Sequence, residues 1–176
     1  MSILRYLLTF TLSFAFVFAA GCSDPKPDYS EFYKPEPGDD PVDPINPGLE
    51  DNQLRVMSFN VRYSAGDDGA NSWDNRKKAV PAMFADQQPT VLGVQEARLD
   101  QKTYMDENCA GYKSVGVGRT DGKNAGEFMA IYYLGDAVKL EKWGTFWLSE
   151  TPDTPSVGWD ASTYRTATWA LFTHYK

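Results

Sequence analysis

Two short apolar runs each stop on a side chain able to hold or orient charge. Leu54-Arg55-Val56-Met57-Ser58-Phe59 leads into the amide Asn60, and Val91-Leu92-Gly93-Val94-Gln95 leads into the carboxylate Glu96. A carboxylate directly after a buried strand is expensive to leave unpaired. Glu96 therefore has to meet a metal ion, a set of donors, or an arginine such as Arg62 or Arg98. Asn60 alone reads either as a turn former or as a ligand-orienting amide. Side by side, the two would supply half of an oxygen-donor metal site of the kind hard cations prefer.

The flanking elements must bring these two ends together. Alternation from Leu54 to Tyr63 puts Leu54, Val56, Ser58 and Asn60 on one face and Arg55, Met57, Phe59 and Val61 on the other, as in a half-buried strand. Ser64 to Asn71 is loop by composition. A helix with the apolar stripe Ala79, Val80, Met83 and Phe84 follows, with Asp74 as its expected cap. Pro81 inside that helix demands a kink or a late start, because it removes one hydrogen bond and clashes with the preceding turn. Gln87-Gln88-Pro89 ends the helix and delivers the chain to Val91. Strand, helix and strand at this spacing form a crossover that lays Val91 to Glu96 beside the first strand.

Downstream, Leu99 to Asn108 reads as a short helix capped by Asp100. Tyr112 to Arg119 and Phe128 to Leu134 read as a hairpin across Thr120 to Gly126. Two further strands are expected near Lys139 to Leu148 and Ala167 to Thr173. The class is α/β.

Composition narrows the partners. With 17 basic against 24 acidic residues the net charge is -7, and Arg76-Lys77-Lys78 is the single basic cluster, so duplex nucleic acid is a poor fit. The two cysteines, Cys22 and Cys109, lie in regions too different to suggest a disulfide. Residues 1–21 combine Arg5, an apolar run and a small-residue exit, which is the pattern of an export signal. Ala19-Ala20-Gly21-Cys22 resembles the lipobox of bacterial lipoproteins, with Cys22 as the lipidated residue. An uncleaved anchor and an ordinary secretory signal are the alternatives. The expected location is outside the cytoplasm, lipid-anchored to a bacterial membrane. Residues 22–52, rich in Pro, Asp, Glu and Gly, read as a disordered tether, and the folded domain starts at residue 53.

A family resemblance rests on six ordered blocks. These are Ser58-Phe59-Asn60-Val61-Arg62; Asn71-Ser72-Trp73-Asp74-Asn75-Arg76; Gly93-Val94-Gln95-Glu96-Ala97; Val117-Gly118-Arg119-Thr120-Asp121-Gly122 with Gly126-Glu127; Gly144-Thr145-Phe146-Trp147-Leu148-Ser149-Glu150-Thr151-Pro152; and Gly158-Trp159-Asp160 with Arg165 and Thr168-Trp169-Ala170. Together they resemble the endonuclease/exonuclease/phosphatase superfamily, and within it a branch of secreted bacterial proteins. The resemblance implies a four-layer α/β sandwich of two mixed sheets flanked by helices, of which this chain carries the N-terminal half. It also implies hydrolysis of a phosphoester by water with Mg²⁺ or Mn²⁺. Glu96 then matches the metal-binding carboxylate, and Asn60 the amide that orients the phosphate and the metal's surroundings.

Arg119 and Arg165 become candidates for phosphate contact, since a guanidinium fork fits phosphate oxygens. The competing reading pairs them with Asp121 and Asp160. Glu127 either lines the cleft or holds Arg119, and Tyr132 and Trp147 either stack on substrate or pack in the core. The family's Asn-x-His, Asp-x-Asn and Asp-His motifs are missing, and the single histidine, His174, reads as an ordinary strand residue. The expectation is a phosphodiesterase or phosphatase in the full-length protein and an inactive chain by itself. Small phosphorylated metabolites, sugar phosphates or lipid headgroups are the favoured substrates. The alternative is a non-catalytic surface lipoprotein that binds glycans through Trp73, Trp147 and Trp159.

Overall fold

The computed structural model describes residues 53–175. The export signal, the tether and the lipidation site at Cys22 lie outside the described residues. Among those described, no helix is long and apolar enough to cross a membrane. Among the described residues there are six strands and three α-helices, and the strands form two sheets. Strand β1 (Val56–Asn60) runs into helix α1 (Trp73–Arg76), helix α2 (Ala79–Gln87) and strand β2 (Val91–Ala97). Helix α3 (Leu99–Asn108), β3 (Tyr112–Val115) and β4 (Phe128–Leu134) complete the first sheet, and β5 (Val138–Trp147) and β6 (Thr166–His174) form the second.

The first sheet has the order β1-β2-β4-β3, with β1 parallel to β2 and the remaining pairs antiparallel. The expected crossover is therefore present, and Asn60 lies opposite Gln95 in its register. Alternation decides what each face buries. Met57 and Phe59 of the first strand, with Val61 just beyond its end, face a core that includes Phe84, Leu92, Val94, Met105 and Tyr132. Phe84 anchors this core by meeting the rings of Tyr112 and Tyr132 edge-on, at centroid distances of 4.9 and 5.5 Å. On the opposite face Val115, Ile131 and Tyr133 pack against Val138, Leu140, Ala170 and Phe172 of the second sheet. That sheet covers β4 and not β1, where Val56 remains 73% exposed.

Pro81 is accommodated by a late start. The helix breaks after Arg76 and resumes at Ala79, so the proline falls in the first turn of α2, where its missing N–H costs nothing. Two expected caps are corrected. Asp74 lies inside the first turn of α1 and pairs with Lys77 at 2.7 Å, so it does not cap the longer helix. Asp100 accepts from the Ser64 hydroxyl at 3.0 Å, and the Arg98 amide is instead met by Gln101 at 3.0 Å. The hairpin also differs from expectation. Strand β3 ends at Val115, and the pairing returns only as an isolated bridge between Gly118 and Phe128. The reason lies in the loop's own bonding: Gly118 N–H donates to Lys123 O, Thr120 N–H to Ala125 O and Gly122 N–H to Gly118 O, which withdraws these groups from the ladder.

Cys109 lies buried at the C-terminal end of α3, and burial pushes its thiol up from 9.0 to about 12, with Asp106 adding to the effect. Burial likewise raises Tyr112 from 10.0 to about 12, while its hydroxyl donates to Pro89 O at 2.9 Å. Both groups keep their protons in the folded chain at pH values where the unfolded chain has lost them. Their contribution to stability is complete below about pH 9 and drains away as pH rises toward 12. Urea midpoints should fall across this window, and Cys109→Ala should make the decline shallower. An equal slope in the variant would show that the thiol has no part in it.

Candidate active site at the ends of β1 and β2

Parallel pairing brings Asn60 and Glu96 to the same end of the sheet, and a bulge turns the carboxylate toward the amide. Val94 pairs with Ala130 but Ala97 pairs with Phe128, so β2 carries one extra residue at Gln95–Glu96. Without it, alternation would put Glu96 on the helix-covered face with Leu92 and Val94; with it, Ala97 takes the buried place. Glu96 pays for this with a left-handed backbone, φ 63°.

Asn60 Nδ2 donates to Glu96 Oε1 at 2.8 Å, and the Tyr63 amide donates to Oε2 at 3.3 Å. Asn60 Oδ1 accepts from the Arg62 amide at 2.8 Å, closing a turn in which Arg62 also has positive φ, 55°. The amide is thereby locked with its NH₂ toward the carboxylate. Neither arginine foreseen for Glu96 holds it. Arg62 pairs with Asp68 at 3.0 Å, which raises the guanidinium's pKa and lowers that of the carboxyl. Glu96 thus accepts its hydrogen bonds from two neutral groups and, among the described residues, forms no ion pair with an arginine, although Arg62, held by Asp68, lies near enough to feel its charge.

Three side chains that the strand pattern did not single out hold this end together. Gln101 is fully buried; its Nε2 donates to Arg62 O at 2.8 Å, and its Oε1 accepts from the Ser64 and Arg98 amides at 2.9 and 3.0 Å. Arg76 donates to Val61 O, to Arg62 O at 2.6 Å and to Asn71 O at 2.9 Å. Asp68 fixes Arg62. A cavity of about 600 Å³ opens beside the free edge of β1, with Phe59, Val80 and Met83 as apolar wall and Asn60, Arg76 and Asp68 among its polar groups. Gln101 had a signal in the sequence, since a Gln three residues after a helix-preceding position is the reciprocal half of a capping box.

The other predicted residues are distributed differently. Arg119 and Glu127 form a two-pronged ion pair at 2.9 and 3.0 Å, each only 15–17% exposed, so Glu127 holds Arg119 and Asp121 does not. Asp121 instead accepts from the Lys123 and Ala125 amides. This pair flanks the loop between β3 and β4, and the Ala97–Phe128 pairing puts the start of β4 at the Glu96 end of the sheet. Arg165 is exposed just before β6 and, among the described residues, has no ion-pair partner. Tyr132 and Trp147 are core residues, 1% and 5% exposed, and Trp147 Nε1 donates to Arg119 O at 2.7 Å. The glycan platform does not form: Trp73 and Trp147 are buried, and of the three only Trp159 is open, at 64%. His174 pairs with Val138 at the end of the second sheet away from Trp147. Among the described residues no three His, Cys, Asp or Glu side chains converge as a metal cluster.

No family model matches this sequence, and no curated protein does. Solved structures do. A mannosyl-6-phosphatase from Bacteroides thetaiotaomicron is 41% identical with a TM-score of 0.67, over 69% of this chain and 46% of that one. An endonuclease/exonuclease/phosphatase from Bacteroides vulgatus is 38% identical with a TM-score of 0.67, over 69% and 47%. A second family protein from Bacteroides thetaiotaomicron is 41% identical with a TM-score of 0.66, over 69% and 44%. The chain spans a little under half the length of these structures.

Proposed function

Because the chain belongs to the endonuclease/exonuclease/phosphatase superfamily, we propose that it contributes the Asn60–Glu96 side of a divalent-metal-dependent phosphoester hydrolase centre. The observation that carries this is the 2.8 Å bond between Asn60 and a carboxylate that, among the described residues, no arginine holds in an ion pair, at the open end of two parallel strands. The donor set suits Mg²⁺ or Mn²⁺, since Mg²⁺ takes one or two carboxylates and keeps several waters. Glu96 would hold the ion, and Asn60 would fix the carboxylate's direction. When bound, the cation neutralises charge developing on the phosphoryl oxygens.

Arg165, exposed and without an ion pair among the described residues, is available to a phosphate; Arg119 would first have to leave Glu127. The substrate class we favour is a small phosphorylated molecule, a sugar phosphate or a lipid headgroup, in keeping with the net charge of -7 and with the sugar phosphatase among the similar structures. Export and lipid attachment through Cys22 belong to the same reading and rest on the sequence of residues 1–22.

We assign hydrolysis to a longer polypeptide carrying this sequence. The test is an assay of p-nitrophenyl phosphate, bis-p-nitrophenyl phosphate and mannose 6-phosphate with and without Mg²⁺, on the 176-residue chain and on the longest reading frame containing it. Turnover abolished by EDTA is expected in the longer protein and none in the chain alone. Absence of turnover in both would sink the hydrolase reading, and EDTA-sensitive turnover by the chain would overturn its assigned inactivity.

A further inference from the structure

A second cavity, about 380 Å³, lies between the β3–β4 loop and the face of β5 that looks toward the first sheet, and neither Asn60 nor Glu96 lines it. Its apolar wall is indole: Trp143 is 42% exposed and Trp147 closes the base. Its polar groups are Asp121, Asp153 and Thr145. Asp121 is held rigidly, because its Oδ1 accepts from two backbone amides at 2.8 and 2.9 Å, and these bonds keep the group ionised by lowering its pKa. Asp153 is exposed and, among the described residues, has no ion pair. Gly122 has φ +70°, and a Cβ there would stand 3.3 Å from the Trp147 ring, so the glycine lets the loop lie flat on the indole.

We infer that this pocket binds the ring of an uncharged carbohydrate. A sugar has an apolar C–H face that packs on an indole and a rim of hydroxyls that donate to carboxylates, and hydrogen bonds to ionised acceptors are the stronger kind. An anion is disfavoured, since two carboxylates and no base line the space. A bare metal ion is disfavoured as well, because no third acidic or imidazole ligand converges there. The pocket opens at the same end of the second sheet as Trp147, whose indole N–H donates to Arg119 O. Binding here does not depend on hydrolysis at Glu96, so it can be measured in the chain as it stands.

The test is an indole ¹⁵N NMR titration of the 176-residue chain with methyl α-mannopyranoside, maltose and cellobiose, and with inorganic phosphate and choline chloride as charged controls. A saturable shift of the Trp143 signal by at least one of the sugars is expected, with Kd on the order of millimolar. Asp153→Asn should weaken it about tenfold, the loss expected for one charge-assisted hydrogen bond, and in a Trp143→Ala chain, whose own signal is gone, the Trp147 signal should stay unmoved by the sugar that shifts it in the parent. No saturable shift with any sugar would overturn the inference. A shift produced by choline and not by sugars, or an Asp153→Asn chain that binds as well as the parent, would overturn it too.

Discussion

Replacing Gln101 with leucine destabilises the fold by about 3–4 kcal/mol, as read from urea unfolding, although the side chain touches no substrate. The size follows from what is left behind. Gln101 is 0% exposed and satisfies the Ser64 and Arg98 amides as well as donating to Arg62 O. Leucine keeps the volume and none of the bonds, so two part-buried N–H groups lose their acceptor, at about 1–3 kcal/mol each. The carbonyl suffers less because Arg76 still donates to it. Gln101→Glu separates the parts of this effect. It keeps two acceptor oxygens but loses the donor and buries a charge, so the variant should be weak at neutral pH and recover as acid restores an O–H. A Leu variant that costs less than about 1 kcal/mol would mean that water replaces the lost bonds. The consequence extends to the site, since this side chain joins the segment after β1 to the helix after β2 and so holds the Asn60 and Glu96 strand ends in register.

Much of this fold could be read from the chain because its elements state their periods locally. Alternation from Leu54 to Val61 named the faces of β1 correctly, and Pro81 announced a kink or a late helix start, of which the fold takes the second. The strands after Gly135 fell within a residue or so of their expected limits. What failed was capping: Asp74 and Asp100 carry the right side chains, but tertiary partners, Lys77 and Ser64, took them. The site was legible as a pair of strand ends and not as a geometry. Nothing in the local pattern of Val91 to Ala97 reveals the extra residue, because a bulge is defined by its partner β4 as much as by its own strand. Arg119 shows the same limit, for only the fold decides that Glu127, eight positions on, rather than Asp121, reaches it.

The largest effect on catalysis is expected at Glu96. If the longer polypeptide is the proposed hydrolase, Glu96→Gln should lower its kcat/KM by about 10³-fold, the scale of several kcal/mol of charge stabilisation. The amide presents one oxygen where the carboxylate presents two, and Asn60 Nδ2 and the Tyr63 amide address different ones, so only one of these donors keeps its present acceptor. A purely structural glutamate would suffer that loss too, so activity by itself does not distinguish the roles. The Mg²⁺ requirement does: a ligand role predicts that half-saturation moves to much higher metal, whereas a structural role predicts reduced activity at an unchanged requirement. Glu96→Gly adds a second separation. The wild-type residue holds φ at 63°, a conformation costing about 1–2 kcal/mol that glycine adopts freely. The glycine variant should therefore unfold at nearly the same urea concentration as the parent, strain relief offsetting the two lost hydrogen bonds, while losing metal-dependent turnover at least as completely as the glutamine variant. A backbone kept in a costly conformation for the sake of its carboxylate should show that opposition between stability and activity. If Glu96→Gly loses both together, the bulge is there to pair strands and not to aim a ligand.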